Sequence, residues 1–213
     1  MSIRFSDGTY SDEPCNQIQM SRRDQRTELA AELSELRHRD PTTQLHNKDY
    51  FLERLTRATD QAVLEKQFST LVYIAINRFD QIKREIGIES TDTVVREVGQ
   101  CLSANAHDYD VTARIGDEVF IWMMPGGDPA KARAQAQRFI KSVDALMIDL
   151  QQRTVQPTVS LGITLITDAS PAPAEVLQQA DLACDAAADE NKQNTSSAHL
   201  FMPEDNSEAR QTR

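Results

Sequence analysis

Gly116-Asp117-Glu118-Val119-Phe120 is the stretch that organises this chain, because it separates two runs with strand character. Residues 111–115 alternate between apolar and polar side chains, and residues 120–124 are all apolar. A Gly-Asp pair between two such runs predicts a hairpin with a two-residue turn, in which the Gly adopts the positive φ that a primed turn requires. The tip of this hairpin would present two adjacent carboxylates, Asp117 and Glu118, to solvent.

Two interpretations of this acidic tip stay open at this point. Asp and Gly are ordinary residues of hairpin turns, so the pair need not carry any function. Alternatively, an acidic tip beside a buried strand end can hold a divalent cation and a triphosphate. The second interpretation requires matching groups from other parts of the chain.

The composition limits the classes of protein to consider. The chain has 213 residues, of which 39% are hydrophobic and 26% are charged, as is typical of a globular protein with one sizeable domain. A formal net charge of -10 without clusters of Lys and Arg argues against nucleic acid or an anionic membrane as a partner. No segment approaches the ~18 apolar residues of a membrane span, and the N-terminus has no apolar signal core. We therefore expect a cytoplasmic protein.

The cysteine and histidine residues are too dispersed to predict a metal site. Cys15, Cys101 and Cys184 are far apart and include no C-x-x-C pair, and the four histidines are equally scattered. Structural zinc sites bring such residues together at close spacing. We predict reduced cysteines that serve packing, and no structural metal.

The first 39 residues divide into two segments that differ in pattern. Residues 1–20 are too short to fold alone, yet residues 15–20 alternate like a strand, and the approach to them resembles the last strands of a PAS sensor domain. This segment is either a remnant of such an upstream domain or a disordered terminus. Residues 21–39 predict a helix that begins at Ser21 and ends before Asp40-Pro41.

The predicted helix at residues 21–39 carries a leucine stripe. Leu29, Leu33 and Leu36 are spaced as in the seam of a short coiled coil. Such a helix can transmit a signal from an upstream domain and can form a homodimer. A helix that packs on its own domain would show the same stripe, so both interpretations stay open.

Residues 40–202 show alternating helix and strand patterns. We predict helices at 47–66, 79–86, 91–104, 129–151 and 173–189, and strands at 71–76, 111–115, 120–124, 159–165 and 198–201. The helix at 47–66 is predicted to turn Tyr50, Phe51, Leu52 and Leu55 inward. The apolar run at 71–76 is typical of a strand at the centre of a sheet that is covered on both faces. The predicted fold is α/β (α+β), with a mostly antiparallel central sheet surrounded by helices.

Four motifs, in the same order, resemble those of GGDEF domains, the catalytic domains of diguanylate cyclases. Residues 40–51, D-P-T-T-Q-L-H-N-K-D-Y-F, resemble the family's opening D-x-L-T-G-L-x-N-R-R-x-F, and residues 113–120 lie where the family has A-R-x-G-G-D-E-F. Residues 158–163 are similar to T-V-S-I-G-V, and residues 180–183 are similar to A-D-x-A. The resemblance implies a nucleotidyl-cyclase-like fold for residues 40–202, preceded by a signalling helix.

The same resemblance implies a site at which the family condenses GTP into cyclic di-GMP by metal-assisted phosphoryl transfer. Gly116 and Phe120 are retained in the hairpin motif, and Glu118 stands at the position of a metal-ligating acid. The family's second Gly is Asp117 here, and its essential Glu is Val119. The carboxylates that the family places on the first strand are replaced by Ala75 and Asn77.

Other family positions differ as well. The guanine-binding Asn corresponds to Lys83, although its partner is kept as Asp92. A phosphate-binding Lys corresponds to Ala188, and its basic companion is kept as Lys192. The inhibitory product site, R-x-x-D in the family, begins at His107 and keeps only the acid, Asp110.

These replacements lead to the expectation that the chain is not an enzyme, because losing one transition-state contact of this kind costs ~10² to 10³ in rate. No cofactor is expected, and Mg²⁺ and GTP would bind only through residual contacts such as Asp92 and Lys192. A shift of the alignment by one residue would place Asp117 and Glu118 at the D-E positions of the family's G-G-D-E-F motif. An active cyclase, which depends on this shift, is the least favoured hypothesis.

The expected function follows from proteins with a similarly altered motif. The chain resembles the GGDEF domains of PAS-GGDEF-EAL regulators that control type IV pili and twitching motility, and residues 203–213 would then be a linker toward an EAL domain. We expect a regulatory module that contacts protein partners of a pilus and cyclic di-GMP pathway. The alternative is a domain that senses GTP without turnover.

Overall fold

The computed structural model describes residues 2–10, 13–21, 37–150, 153–190 and 195–201. The chain forms two compact units, Met1–Arg39 and Asp40–Arg213, which are described separately. In the first unit, β1 (Ser2–Tyr10) and β2 (Glu13–Ser21) pair as an antiparallel hairpin. The strand predicted at 15–20 is confirmed as part of β2.

The signalling helix was predicted to begin at Ser21, which is the last residue of β2, and the helix itself stays a prediction. Residues 22–36, which would form most of that helix and contain its leucine stripe, lie outside the described residues. The linker predicted at 203–213 and the proposed basic residue Lys192 lie outside them as well. Dimerisation through the helix therefore stays a prediction.

The second unit is built on a five-stranded sheet whose strand order is β4, β5, β3, β8, β9. Neighbouring strands are antiparallel except for β8 and β9, which are parallel. The strands are β3 (Ser69–Ile76), β4 (Val111–Arg114), β5 (Val119–Pro125), β8 (Val159–Ile166) and β9 (Ser197–Leu200). The central position of β3 confirms the prediction from its apolar run, and the predicted fold class is confirmed.

In the described part of residues 40–201, five helices accompany this sheet. They are α1 (Lys48–Glu65), α2 (Phe79–Ile86), α3 (Ile88–Asn105), α4 (Pro129–Asp144) and α5 (Pro173–Glu190). One face of the sheet packs against α3 and α4, with Trp122 and Phe139 fully buried there. The opposite face packs against α1 and α5 and buries Phe51 and Leu55.

Helix α1 begins and ends at the residues that its sequence signals predict. The Asn47 side chain accepts a hydrogen bond from the Tyr50 backbone N–H at 3.1 Å, and Lys66 closes the helix in a left-handed conformation. Leu52 was predicted to face inward and is 38% exposed, so that prediction is wrong. It lies off the stripe that Phe51 and Leu55 form at i, i+4 spacing.

The prediction of a hairpin with a two-residue turn needs correction. β4 ends at Arg114 and β5 begins at Val119, so the connection is residues 115–118 rather than a two-residue turn. The glycines with positive φ among the described residues are Gly87 and Gly126, so Gly116 does not adopt the conformation of a primed turn. Instead the Ile115 N–H bonds the Val119 carbonyl at 3.0 Å.

Helix α4 begins as predicted, with Asp128 as its cap and Pro129 in its first turn, but it ends at Asp144 instead of continuing to residue 151. The chain then forms a short hairpin from β6 (Ile148–Leu150) and β7 (Arg153–Val155). Ile148 is buried in this hairpin, although in a continued α4 it would lie opposite the stripe of Phe139 and Val143.

No helix within the described residues is long and apolar enough to cross a membrane.

Candidate functional site

The loop of residues 115–118 is attached to the C-terminal end of β3. The Ile76 N–H donates to the Glu118 carbonyl at 3.1 Å, and Ala75 pairs with Val119 across the two strands. Ala75 and Val119 are both partly buried, whereas Phe120 is fully buried in the core. The structure therefore brings together three of the predicted site positions, Ala75, Glu118 and Val119.

Asn77 follows β3 and uses its side chain to join three segments of the chain. Its Oδ1 accepts from the Ser160 hydroxyl at 2.7 Å, and its Nδ2 donates to Thr158 Oγ1 at 3.2 Å and to the Thr195 carbonyl at 3.4 Å. Its backbone N–H also bonds the Thr158 carbonyl at 2.9 Å. Asn77, which the resemblance placed at the position of a family carboxylate, therefore holds β3 to β8.

Arg114 holds the loop in its conformation. Its Nε donates to the Gly116 carbonyl at 3.1 Å, and its Nη2 donates to the Asp117 carbonyl at 2.8 Å. Its Nη1 lies 3.4 Å from both carboxylate oxygens of Asp40, and the two side chains are only 14% and 17% exposed. The Asp40 carboxylate also accepts from the N–H and hydroxyl of Thr43, both at 2.8 Å. A chain of polar contacts thus runs from the turn before α1 to the loop.

Sequence reasoning quoted Arg114 and Asp40 only as letters of motifs and missed this positioning role. The sequence signal is an Arg two residues before a Gly that opens a turn, where a fork of donors can reach successive carbonyls.

The loop carries its two carboxylates in different surroundings. The Asp117 side chain is 76% exposed, and its Oδ2 lies 3.7 Å from Lys83 Nζ on α2. Glu118 is partly buried next to the end of β3. Lys83, predicted from the resemblance to stand at a base-binding position, therefore reaches the loop.

Other predicted residues lie farther along the chain. Asp92 is exposed on α3, and Ala188 is exposed near the end of α5. Their contribution to a common site stays a prediction.

His107 and Asp110, predicted as a remnant of an inhibitory site, lie before β4. One oxygen of Asp110 accepts from Trp122 Nε1 and from the His107 N–H, both at 2.9 Å. This carboxylate therefore orders the turn and the buried indole. Both residues line a cleft of about 530 Å³ that also includes Pro125, at the end of β5 remote from the loop.

Helix α4 adds side chains to this cleft that sequence reasoning missed. Lys131, Gln135 and Arg138 line it. Their i, i+4, i+7 spacing places them on one face of the helix, which is the signal that could have identified them. His107 and Gln135 are in contact, with their Nε2 atoms 3.1 Å apart.

A group of ionisable side chains lies where α5 packs on β3. Burial and the neighbouring Asp181 raise the pKa of Tyr73. Burial, together with Asp185 and Asp181, raises the pKa of Cys184 to about 12, and its thiol donates to the Ser160 carbonyl at 3.2 Å. A thiol in this environment stays protonated and serves packing, as predicted, because only the thiolate is a good nucleophile.

The carboxylates at the end of β3 do not make a site for a resident metal ion. Mg²⁺ takes oxygen ligands at near-octahedral geometry. Within the described part of the chain, no group of three or more His, Cys, Asp or Glu side chains is arranged to hold a metal ion. A magnesium ion at this loop would have to arrive as the complex with a nucleotide, with phosphate oxygens among its ligands.

The comparisons with known proteins agree with this architecture. Residues 37–194 match the family model described as diguanylate cyclase, GGDEF domain. The GGDEF domain of FimX from Pseudomonas aeruginosa superposes with a TM-score of 0.70 and 26% identity, covering 78% of this chain and 99% of that domain. This match confirms the predicted resemblance and fold.

Two further relatives are named as cyclases. Diguanylate cyclase TpbB of P. aeruginosa strain UCBPP-PA14 is 29% identical over 154 residues, which are 72% of this chain and 35% of that protein. Diguanylate cyclase SiaD of P. aeruginosa, solved in complex with its activator SiaC, gives a TM-score of 0.72 at 25% identity, over 78% of this chain and 64% of SiaD. The chain thus spans about a third of the length of TpbB.

These matches correct the prediction that the chain is not an enzyme. The prediction rested on single positions such as Ala75 and Val119, whereas the similarity extends over residues 37–194 and the relatives carry the name of diguanylate cyclases. By the extent of this match, the chain belongs to the GGDEF domain family of diguanylate cyclases.

Proposed function

We propose that this GGDEF domain binds a guanine nucleotide at the end of β3 and acts as a regulatory domain of a cytoplasmic cyclic di-GMP signalling protein. The observation that carries the proposal is the loop of residues 115–118, which Arg114 and Asp40 hold in place beside Ala75 and Val119. Beside the end of β3, Lys83 of α2 reaches Asp117 of this loop, so charged side chains from two elements meet there.

The charges at this end of the sheet suit a metal-complexed phosphate. Glu118 offers a carboxylate for a magnesium ion that arrives with the nucleotide, and Lys83 offers an ammonium for the phosphates. Phosphate binding by a point charge of this kind is common for Lys. Asp92 on α3, which the resemblance assigns to the nucleotide, would add a contact, and the resemblance assigns Lys192 to the nucleotide as well.

The regulatory part of the proposal draws on two relatives. SiaD is a GGDEF protein in complex with a protein activator, which supports a role for protein partners here. The motif resemblance to PAS-GGDEF-EAL regulators of type IV pili motivates the finer proposal of pilus proteins as partners and twitching motility as the output, and the structural likeness to the GGDEF domain of FimX is compatible with it. A nucleotide would bias such a protein as far as it binds one state more tightly than another.

A second candidate is turnover of GTP to cyclic di-GMP, favoured by the cyclase names of TpbB and SiaD. Phosphoryl transfer depends mostly on positioning and on neutralising charge. In this chain Arg114 would position the loop, Glu118 would face the metal-nucleotide complex, and Lys83 would neutralise phosphate charge. Ala75 and Val119 bring no charge to the reaction.

Calorimetry with the purified chain tests the proposal. We expect MgGTP to release or absorb heat with one site per chain, and Glu118→Gln to weaken binding about tenfold or more, as for loss of a charged contact. Glu53→Gln, on the exposed face of α1, removes the same charge elsewhere and is expected to bind like the wild type.

Absence of binding by the wild type would show that the nucleotide part of the proposal is wrong. Cyclic di-GMP in the same samples would establish the second candidate. The pilus part would be wrong if a full-length protein with Glu118→Gln and Arg114→Ala supported normal twitching and bound the same partners.

A further inference from the structure

We propose that the ion pair between Lys83 and Asp117 is a weak latch across the nucleotide site. In the ligand-free domain Asp117 holds the Lys83 ammonium, and an anionic ligand must take that ammonium away from Asp117 in order to bind. The inference rests on the binding site proposed above and adds a contact that regulates it.

The pair joins the two elements that flank the end of β3. Lys83 lies in α2, which begins two residues after Asn77, and Asp117 lies in the loop that bonds the Ile76 N–H. A contact between them therefore joins this helix to the loop beside the end of β3. A ligand that contacts both Glu118 and Lys83 would have to compete with this pair.

The backbone on both sides of the pair is fixed, so the side chains are the parts that can move. Arg114 holds the Asp117 carbonyl at 2.8 Å, and the Lys83 carbonyl accepts from the Gly87 N–H at 3.1 Å as α2 ends. Side-chain rotation of exposed residues takes picoseconds to nanoseconds. Opening the latch therefore requires rotation of Lys83 or Asp117 and no rearrangement of the fold.

The geometry indicates a contact weak enough to exchange with a ligand. The Nζ to Oδ2 distance is 3.7 Å, whereas the pair of Lys66 and Asp168 is hydrogen-bonded at 2.7 Å. The Lys83 and Asp117 side chains are 39% and 76% exposed. An exposed pair of this kind changes an equilibrium by a factor of about two to five.

The charges around the pair make an anion the ligand that competes for it. Lys83 is the partner that a phosphate would take, and the neighbouring Arg84 directs its Nε to the Asp80 carbonyl at 3.1 Å within its own helix. Asp117 would weaken anion binding in two ways. Its charge repels the anion, and it pairs with the Lys83 ammonium that the anion would contact. These two effects can be separated by experiment, since the second requires Lys83.

The experiment is a double-mutant cycle on MgGTP and magnesium tripolyphosphate binding, measured by calorimetry at low salt. Asp117→Asn is compared with the wild type and, separately, in a Lys83→Ala background. We expect Asp117→Asn to raise affinity, and the increase to be about two- to fivefold larger with Lys83 present than without it. The difference should shrink at an ionic strength of about 1 M, where exposed charges are screened.

Glu85→Gln is the matched control, because Glu85 lies on the same helix and pairs with Arg153 at 3.9 Å instead. It removes a negative charge from the same helix and is expected to change affinity by the same factor with or without Lys83. Circular dichroism of each variant checks that α2 is intact.

Each result decides between the alternatives. Equal effects of Asp117→Asn in the two backgrounds would show that Asp117 acts by repulsion alone and would overturn the latch, while nucleotide binding would stand. Suppose that tripolyphosphate shows the latch effect and that GTP binds no more tightly than tripolyphosphate. This result would support the latch and contradict the proposal that the site binds a guanine nucleotide. If neither ligand bound to any variant, both proposals would be overturned.

Discussion

The contact between α5 and β8 and the loop at the end of β3 are held in different ways. At Gly162 the backbone of β8 touches the backbone of α5 directly, so that a Cβ on this residue would overlap the Ala180 carbonyl oxygen and the Cys184 nitrogen. At Gly116 in the loop, a Cβ would lie 3.3 Å from the Val119 side chain. The scaffold is thus fixed by close packing of backbone, and the loop by a few polar side-chain contacts.

This difference separates what the family fold requires from what an individual member can change. Backbone contact tolerates almost no added volume, because interiors are close-packed and relax only in part. A polar contact between exposed side chains, such as that of Lys83 with Asp117, contributes about 1 kcal/mol or less, so it can be exchanged for a ligand or for another residue. Three predictions test the comparison.

The largest effect is expected for Gly162→Ala. The added methyl group would force α5 away from β8, and we expect a loss of about 3 kcal/mol or more in the free energy of unfolding, or no folded protein. Gly116→Ala is the matched change in the loop and is expected to cost about 1 kcal/mol or less. Urea unfolding followed by circular dichroism measures both, and equal stabilities of the two variants would contradict the comparison.

An intermediate effect is expected for Arg114→Ala. The change removes two hydrogen bonds to loop carbonyls and leaves the mostly buried Asp40 carboxylate without its cation, so we expect a loss of about 1 to 3 kcal/mol. Hydrogen exchange should also accelerate at the Ile115 N–H, which is bonded within the loop. Arg114→Lys keeps the charge without the fork of donors and should recover only part of the loss.

A wild-type exchange rate at Ile115 in Arg114→Ala would show that packing of the flanking strands alone holds the loop. The comparison between the two regions would then fail for the loop.

The smallest effect concerns the surface of α5 and depends on pH. Burial raises the pKa of Asp185 above its usual 3.8, and the charges of Asp181 and Asp189 raise it further. The folded state therefore holds this proton more tightly than the unfolded state, so the contribution of Asp185 to stability falls as pH rises above about 4. We expect Asp185→Asn to stabilise the protein by about 0.5 kcal/mol at pH 7, with no effect near pH 3.

Asp168→Asn gives the opposite sign and serves as the control. Its hydrogen bond and ion pair with Lys66 lower the pKa of Asp168, so the carboxylate favours folding at neutral pH and that contribution is lost as the pH falls. Urea unfolding of both variants across this range measures the difference. A pH-independent effect of Asp185→Asn would mean that Asp181 and Asp189 do not act on its charge.

Much of the fold could be predicted because it depends on local signals. The Asn47 cap, the Asp128-Pro129 start of α4 and the apolar run of β3 each depend on neighbouring residues, and the structure contains them as predicted. The end of α4 could not be predicted, because Leu150 continues the helical spacing of Phe139 and Val143 and yet lies in β6, where it pairs with Arg153. The turn at Gly116 was missed because Arg114 holds a longer loop that local turn preferences do not specify.

The candidate site likewise has features that the sequence could predict and features that it could not. The resemblance of motifs placed Ala75 and Val119 at one end of the sheet, and the strand register puts them opposite each other. Three contacts join residues that are distant in sequence. They are the contacts of Asn77 with Ser160, of Arg114 with Asp40, and of Lys83 with Asp117. No local pattern specifies which of many polar side chains meet across such distances.

The sequence by itself therefore determined the family and most of the helices and strands of residues 40–202, and the resemblance of its motifs singled out Ala75, Asn77, Lys83, Asp117 and Val119. These properties are read from residue identity and short-range periodicity, which need no knowledge of the folded chain. Only the tertiary structure decided that Asn77 joins β3 to β8, that Arg114 holds the loop, and that Lys83 meets Asp117. These contacts exist because packing of the sheet and its helices brings distant segments within hydrogen-bonding or ion-pairing distance, and that proximity is a property of the whole fold.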